Sequence, residues 1–377
     1  MADVIVVGGG VIGAACAWEL ASAGHRVSLF ERAELAAGAS GRNQGWLVEP
    51  DDPANRPLYD HAFYLEATDR APLPIWIDRD PIAHLLVALE GDEAPAPAGA
   101  SWLSGADLRE LEPAISPRAL GGWAAAGGRR LDPEALTVGM ALLAGAAGAT
   151  IRHHLPVRAL LRSGDRVRGV VTDEGVVEAD EIVLAAGPWS SSLLGPVGVD
   201  LPLAAARGWI VRLEPSAPTV RHLVERIGWR ASEWRAGAAG PPLAREYADE
   251  GVHPLGGPLL NPHPDGSVLV GSSREPAITP EPAEPLVPRW QVRDAIKLMP
   301  ALADATVRSA WWGVRPLTPD ERPAIGRVLD GLTLATGHGS EGVILGAGTA
   351  RLVSAIVAGT EPPFDPAPFD PFRFSQT

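Results

Sequence analysis

A two-domain α/β fold is predicted from three observations. Residues 3–7 form an apolar run that passes straight into Gly8-Gly9-Gly10-Val11-Ile12-Gly13, then into the alanine-rich stretch 14–24 and a second apolar run, 27–30, ending at Glu31. Signals of the same kind return far along the chain. Asp132-Pro133-Glu134 opens an apolar helix to about residue 148, strands are predicted at 151–155, 167–172 and 181–185, and a strand, glycine turn and helix occupy 333–359. The intervening stretches, 51–130 and 207–314, differ in character, with apolar alternation broken by Gly/Pro loops. They predict a β-sheet-based substrate domain inserted in two segments into a discontinuous nucleotide-binding domain of residues 1–50, 131–206 and 315–377.

Each part of the opening segment has a mechanical role. Gly8 suits a tight turn, Gly10 lets backbone approach a pyrophosphate, and Gly13 lets the helix pack close to the strand, as in a Rossmann-like domain. The N–H groups at the helix start then face the phosphates. Glu31 lies 18 residues beyond Gly13, where a carboxylate can accept hydrogen bonds from an adenosine ribose. The small, polar run Ala39-Ser40-Gly41-Arg42-Asn43-Gln44-Gly45-Trp46 supplies backbone amides and one guanidinium for phosphates and ring edges. It favours FAD over a nicotinamide nucleotide; its plain alternative is a surface loop.

With 377 residues and 46% apolar content, the chain can build two cores. A net charge of −14 argues against nucleic-acid or anionic-membrane partners. No run of 18 apolar residues predicts a membrane span, and no basic n-region followed by an apolar h-region opens the chain, so a cytoplasmic location is expected. The single cysteine, Cys16, rules out an internal disulfide and a metal thiolate cluster and is expected to be a buried packing residue. Further helices are predicted at 59–70 and 288–299, a Pro/Ala loop at 91–100, and an extended or disordered Pro/Asp/Phe tail at 361–374.

The C-terminal third carries Trp312-Gly313-Val314-Arg315-Pro316-Leu317-Thr318-Pro319-Asp320, then Pro323-Ala324-Ile325-Gly326, then Ala335-Thr336-Gly337-His338-Gly339-Ser340-Glu341-Gly342-Val343. With Gly8 to Gly13 and Ala185-Ala186-Gly187-Pro188-Trp189, this order of motifs resembles the D-amino acid oxidase family of FAD-dependent oxidoreductases over nearly the whole chain, most closely its glycine oxidase, sarcosine oxidase and D-amino acid dehydrogenase branches. The resemblance implies that Val11, Ile12, Glu31 and Arg32 hold the adenosine half of FAD, with Val157 offering backbone to the adenine. It implies that Ala39, Ser40, Arg42, Gln44, Gly45, Trp46, Gly187 and Trp189 serve the rest of the cofactor, and that residues His338, Gly339, Ser340, Glu341, Gly342, Val343 and Ile344 border the isoalloxazine. Arg315 would grip a substrate carboxylate as a bidentate fork, its structural alternative being an ion pair to Asp320 or Glu321.

Two departures bear on the substrate. Ser340 stands where glycine oxidases have a second arginine, and no tyrosine lies near the strand at 258–261; Trp46, Trp209, Trp311 and Trp312 are candidate pocket walls. No cysteine precedes the Thr-Pro-Asp segment, so the FAD is expected to be non-covalent. The implied activity is oxidation of an amine or amino acid by hydride transfer from the α-carbon to the flavin, giving an imine that water hydrolyses, with dioxygen or another electron acceptor taking the electrons. No catalytic side chain and no metal is expected. Oxidation of a 2-hydroxy acid would require a base, for which His253 and His338 are the candidates. A non-catalytic or tRNA-modifying flavoprotein is the remaining alternative, disfavoured by the acidic balance and by Arg315.

Overall fold

The computed structural model describes residues 1–92, 101–217, 220–227, 258–276 and 286–374. His253 and most of the loop expected at 91–100 lie outside them. Two compact units emerge: Met1–Arg79, Leu131–Ala205 and Val314–Thr377 form one, and Asp80–Arg130 with Ala206–Gly313 the other.

The first unit is built on a six-stranded sheet in the order Ala324–Leu329, Leu332–Thr336, Glu181–Leu184, Asp3–Val7, Arg26–Phe30, Thr150–Arg152. All neighbours are parallel except the first pair. Continuous apolar strands follow from burial on both faces: Val4 and Val6 enter one core, Ile5 and Val7 the other. The helix Val11–Ser22 packs on the helices Gly342–Ala358 and Pro133–Ala146 and is buried almost all round, which explains why its alanine-rich sequence lacks a polar face. A three-stranded antiparallel sheet, Val157–Ser163, Arg166–Thr172 and Gly175–Glu178, covers part of the opposite face; its first and last strands carry no strand prediction from sequence.

The domain boundary expected at residue 50 moves to residue 79. The helix His61–Arg70, capped by Asp60 through the Ala62 N–H at 2.9 Å, buries Phe63, Tyr64 and Ala67 in the same core as Trp18, whose ring centroid is 4.8 Å from that of Phe63. Gly346 and Gly348 of the last helix make room for it: a Cβ there would come within 2.7 Å of the Tyr64 hydroxyl and 2.3 Å of Leu58 Cα. The tail is neither extended nor loose, since short 3-10 turns at Ala367–Phe369 and Pro371–Phe374 bury Phe369 completely.

The second unit is a mostly antiparallel sheet in the order Glu275–Pro276, Ala204–Glu214, Val268–Gly271, Leu259–Pro262, Leu223–Arg226, Ile82–Ala88, Gly121–Arg130. Leu85, Val87, Val211, Leu213, Leu260 and Val270 form its core with Ala295 and Leu298 of the helix Leu286–Leu298. Among the described residues, no helix is long and apolar enough to cross a membrane.

Candidate functional site

Close approach of backbone shapes the glycine turn. Gly8 sits at φ +113, and a Cβ on it would lie 2.4 Å from the Ala185 carbonyl oxygen. A Cβ on Gly13 would lie 1.8 Å from the Gly8 carbonyl oxygen, and one on Gly10 would lie 2.9 Å from Ser40 Oγ. The helix Val11–Ser22 has no acidic residue in its first turn and no cap from its own N-cap residue, Gly10. The Ser40 hydroxyl instead accepts from the Val11 N–H at 2.8 Å, which brings the polar loop onto the helix start. With no carboxylate in its first turn, the positive end of this helix suits a pyrophosphate.

Glu31 does more than the sequence predicts. Its carboxylate accepts from the Gly9 N–H at 2.7 Å and from the Ala33 N–H at 2.9 Å, so it clamps the glycine turn to the end of the second strand. A carboxylate has about four lone-pair sites, so two remain for a ribose. Beside it the exposed Arg32 guanidinium stacks 3.6 Å over the Trp189 ring, and half-buried Val157 starts its strand. In the loop, Asn43 donates to the Ala39 and Ser40 carbonyls at 3.1 and 2.6 Å and accepts from the Gly45 N–H at 2.8 Å. Gly45, at φ +67, has no room for a Cβ, which would be 1.9 Å from the Leu131 carbonyl oxygen. Arg42 is exposed with Nε on the Ala37 carbonyl, while Gln44 and Trp46 are half-buried.

The C-terminal motifs also converge within the first unit. Arg315 is half-buried near the end of the strand Thr306–Leu317, between buried Val314 and Pro316. The Gly339 N–H donates to the Pro316 carbonyl at 2.8 Å, and Leu317 bridges to His338, so the arginine strand and the loop before the last helix are joined by backbone. Gly337 and Gly339 adopt left-handed φ of +80 and +56, which the loop requires. Asp320, a suggested ion-pair partner for Arg315, is held by Arg373 at 2.8 and 3.0 Å. The last helix has no side-chain cap and no acidic group in its first turn. Gly187, at φ +54, accepts from Thr336 Oγ1 at 3.1 Å.

His338 is unsuited to act as a base. Burial pushes its imidazole down to about 3, so the neutral ring holds a captured proton too weakly. Thr349 gives its only proton to the Leu345 carbonyl at 2.8 Å, which leaves its oxygen to accept from His338 Nε2 at 3.0 Å. Burial acts in the opposite direction on Glu341, raised to about 7 by desolvation and by nearby Asp51, Asp52 and Glu321 despite a 2.9 Å hydrogen bond from Asn55 Nδ2. Sequence reading enrolled Glu341 only as part of a loop; its titrating side chain escaped notice because Asn55 is 286 residues away. Ser340 is exposed.

Trp209 and Trp312 belong to the second unit. Trp209 is 7% exposed and packs with Val287 and Trp290, with partly buried Trp312 against the group. Its backbone N–H donates to Ser273 Oγ at 2.7 Å and its carbonyl accepts from Gln291 Nε2 at 3.1 Å, the features of a core residue. The Arg207 guanidinium lies 5.3 Å over the Trp312 ring. Cys16 is fully buried and its thiol is pushed far up by desolvation, which makes it a packing residue and not a reactive one.

Comparison with known proteins shows the family. The family model described as FAD dependent oxidoreductase, DAO, matches residues 3–356. The chain is 30% identical to glycine oxidase of Pseudomonas aeruginosa, with 98% of each chain covered. It is 29% identical to D-amino acid dehydrogenase of Paramagnetospirillum magneticum, covering 94% of this chain and 95% of the relative. The crystal structure of glycine oxidase from Geobacillus kaustophilus superposes with a TM-score of 0.81 at 25% identity, covering 99% of this chain and 98% of that one.

Proposed function

The chain belongs to the DAO family of FAD dependent oxidoreductases, and from that premise we propose that it oxidises an amine or amino acid bearing a carboxylate. The residues at the glycine turn suit the cofactor: the positive end of Val11–Ser22 would hold the pyrophosphate, Glu31 would take the ribose, and Arg32, Trp189 and Val157 would flank the adenosine. When bound, FAD supplies the hydride-accepting centre for C–N oxidation. The uncapped start of Gly342–Ala358 offers partial positive charge where negative charge develops. Arg315 holds the carboxylate and thereby orients the α-carbon. Electrons leave to dioxygen or to another acceptor.

The observation that carries the reading is the backbone link from Pro316 to Gly339, which ties Arg315 to the loop proposed to border the flavin. Oxidation of a 2-hydroxy acid is the weaker reading, since burial leaves His338 too weak a base to hold the hydroxyl proton and its Nε2 is committed to Thr349. The test compares flavin bleaching without oxygen by an amino acid and by its decarboxylated amine, on wild type and on Arg315→Leu. Removing one partner of a buried charged pair costs about 2 to 5 kcal/mol, so the variant should lose roughly thirtyfold or more in rate with FAD retained. Equal bleaching by both compounds, or full activity in Arg315→Leu, would reject the carboxylate clamp.

A further inference from the structure

Outside the nucleotide cradle, three metal-ligating side chains meet on the surface of the first unit. His154 Nε2 is 2.7 Å from Glu34 Oε1, and His153 Nδ1 is 3.3 Å from Glu34 Oε2. The three ligand atoms lie within 4.8 Å of one another. All three side chains are open to solvent, with exposures of 49, 60 and 69% for His153, His154 and Glu34.

The backbone builds this convergence. In an extended strand, consecutive side chains point to opposite faces, so His153 and His154 would ordinarily diverge after the strand Thr150–Arg152. His154 instead adopts φ +57, a left-handed conformation uncommon for a residue with a Cβ. The two rings end 4.9 Å apart at 53°. Three backbone hydrogen bonds zip the segments together: Glu31 N–H to the Arg152 carbonyl at 2.8 Å, His154 N–H to the Ala33 carbonyl at 3.1 Å, and Leu155 N–H to the Glu31 carbonyl at 2.9 Å. The separation between Glu34 and the histidine pair is therefore set by the fold. The neighbouring cation, Arg152, is neutralised by Glu174 at 2.7 and 2.8 Å.

We propose that Glu34, His153 and His154 form a binding site for a divalent transition-metal ion of borderline softness, Zn2+ being the probe ion. Two imidazoles and a carboxylate are the ligand set such ions take, with bonds of about 2.0 to 2.2 Å. Donors on one tetrahedral ion then lie about 3.3 Å apart, within reach of small rotations of exposed side chains. A fourth position is left to water. Occupancy cross-links the loop that carries Glu31 and Ala33 to residues 152–155, so the metal stabilises the folded chain through linkage. The inference is independent of the proposed oxidation chemistry.

The experiment uses the FAD-loaded protein without an affinity tag, titrated with ZnCl2 by calorimetry, with thermal unfolding followed by tryptophan fluorescence. Wild type should bind one Zn2+ per chain at this site and unfold at a higher temperature with the ion. Glu34→Gln and His154→Gly should each weaken binding roughly tenfold or more and abolish the thermal shift with FAD content unchanged; glycine accepts the left-handed φ, so the second variant keeps the local backbone. Mg2+ should produce no shift, because it prefers oxygen ligands. The proposal is overturned if wild type binds no Zn2+, if both variants bind as tightly as wild type, or if Mg2+ stabilises as well as Zn2+.

Discussion

Replacing Gly13 with alanine should both destabilise the protein and impair FAD retention, although the same substitution in a free helix would be favourable. An alanine Cβ at this position would stand 1.8 Å from the Gly8 carbonyl oxygen and 3.0 Å from its carbon. Real Cβ atoms do not come closer than about 3.0 Å, so helix and turn must part by roughly 1.2 Å. Neither can yield easily: Val11–Ser22 is enclosed by two helices and the sheet, and Gly8 is fixed by its N–H to the Phe30 carbonyl at 2.8 Å. Overpacking of this kind costs about 1 to 3 kcal/mol or more, against at most about 1 kcal/mol gained in helix propensity. A net loss of about 2 kcal/mol is expected, with weaker FAD binding because the turn and the helix start separate. Gly145→Ala is the control, since its Cβ would meet nothing nearer than Ile151 Cγ1 at 4.0 Å; it should stabilise by about 0.4 to 1 kcal/mol. Urea unfolding and FAD content of the purified proteins give both readouts. Equal or greater stability in Gly13→Ala, with full FAD, would refute the claim that close helix approach is why glycine stands there.

Three further outcomes are expected. Glu31→Ala should weaken FAD ten- to a hundredfold, since hydrogen bonds to a charged acceptor contribute about 1.5 to 3 kcal/mol; because Glu31 also holds the Gly9 and Ala33 N–H groups, the midpoint of urea unfolding should fall as well, and loss of FAD alone would show that this clamp contributes nothing. Glu341 has a folded-state value raised from 4.5 to about 7, so the native state keeps a proton that the unfolded chain releases above about pH 4.5; wild-type stability should decline as pH rises from there through 7. Glu341→Gln lacks that decline and should be the more stable protein at pH 8 by about 3 kcal/mol or a little more, at about 1.4 kcal/mol for each of about 2.5 pH units, with a difference that shrinks toward pH 5; a difference independent of pH in urea titrations would contradict it. Acid precipitation should release all the yellow colour to the supernatant, because the one cysteine is sealed in the core; colour left in the pellet would indicate a covalent flavin.

Much of the nucleotide half is determined by sequence alone, because its signals are local. The strand, glycine turn, helix and second strand from Asp3 to Phe30 follow from consecutive residues whose constraints are steric, and the Gly13 contact with Gly8 spans five positions. What only the tertiary structure decided is which surface an amphipathic or polar segment meets. The spacing of Phe63, Tyr64 and Ala67 predicts a helix, but its assignment to the first unit depends on glycines at 346 and 348 that leave room for Leu58 and Tyr64. The neutrality of His338 and the elevated titration of Glu341 arise from burial and from partners such as Asn55, far away along the chain. Glu34, His153 and His154 meet because one residue turns left-handed beside a parallel strand pair, and strand pairing is a long-range property. Local sterics are written in neighbouring residues, whereas burial and electrostatics depend on the whole fold.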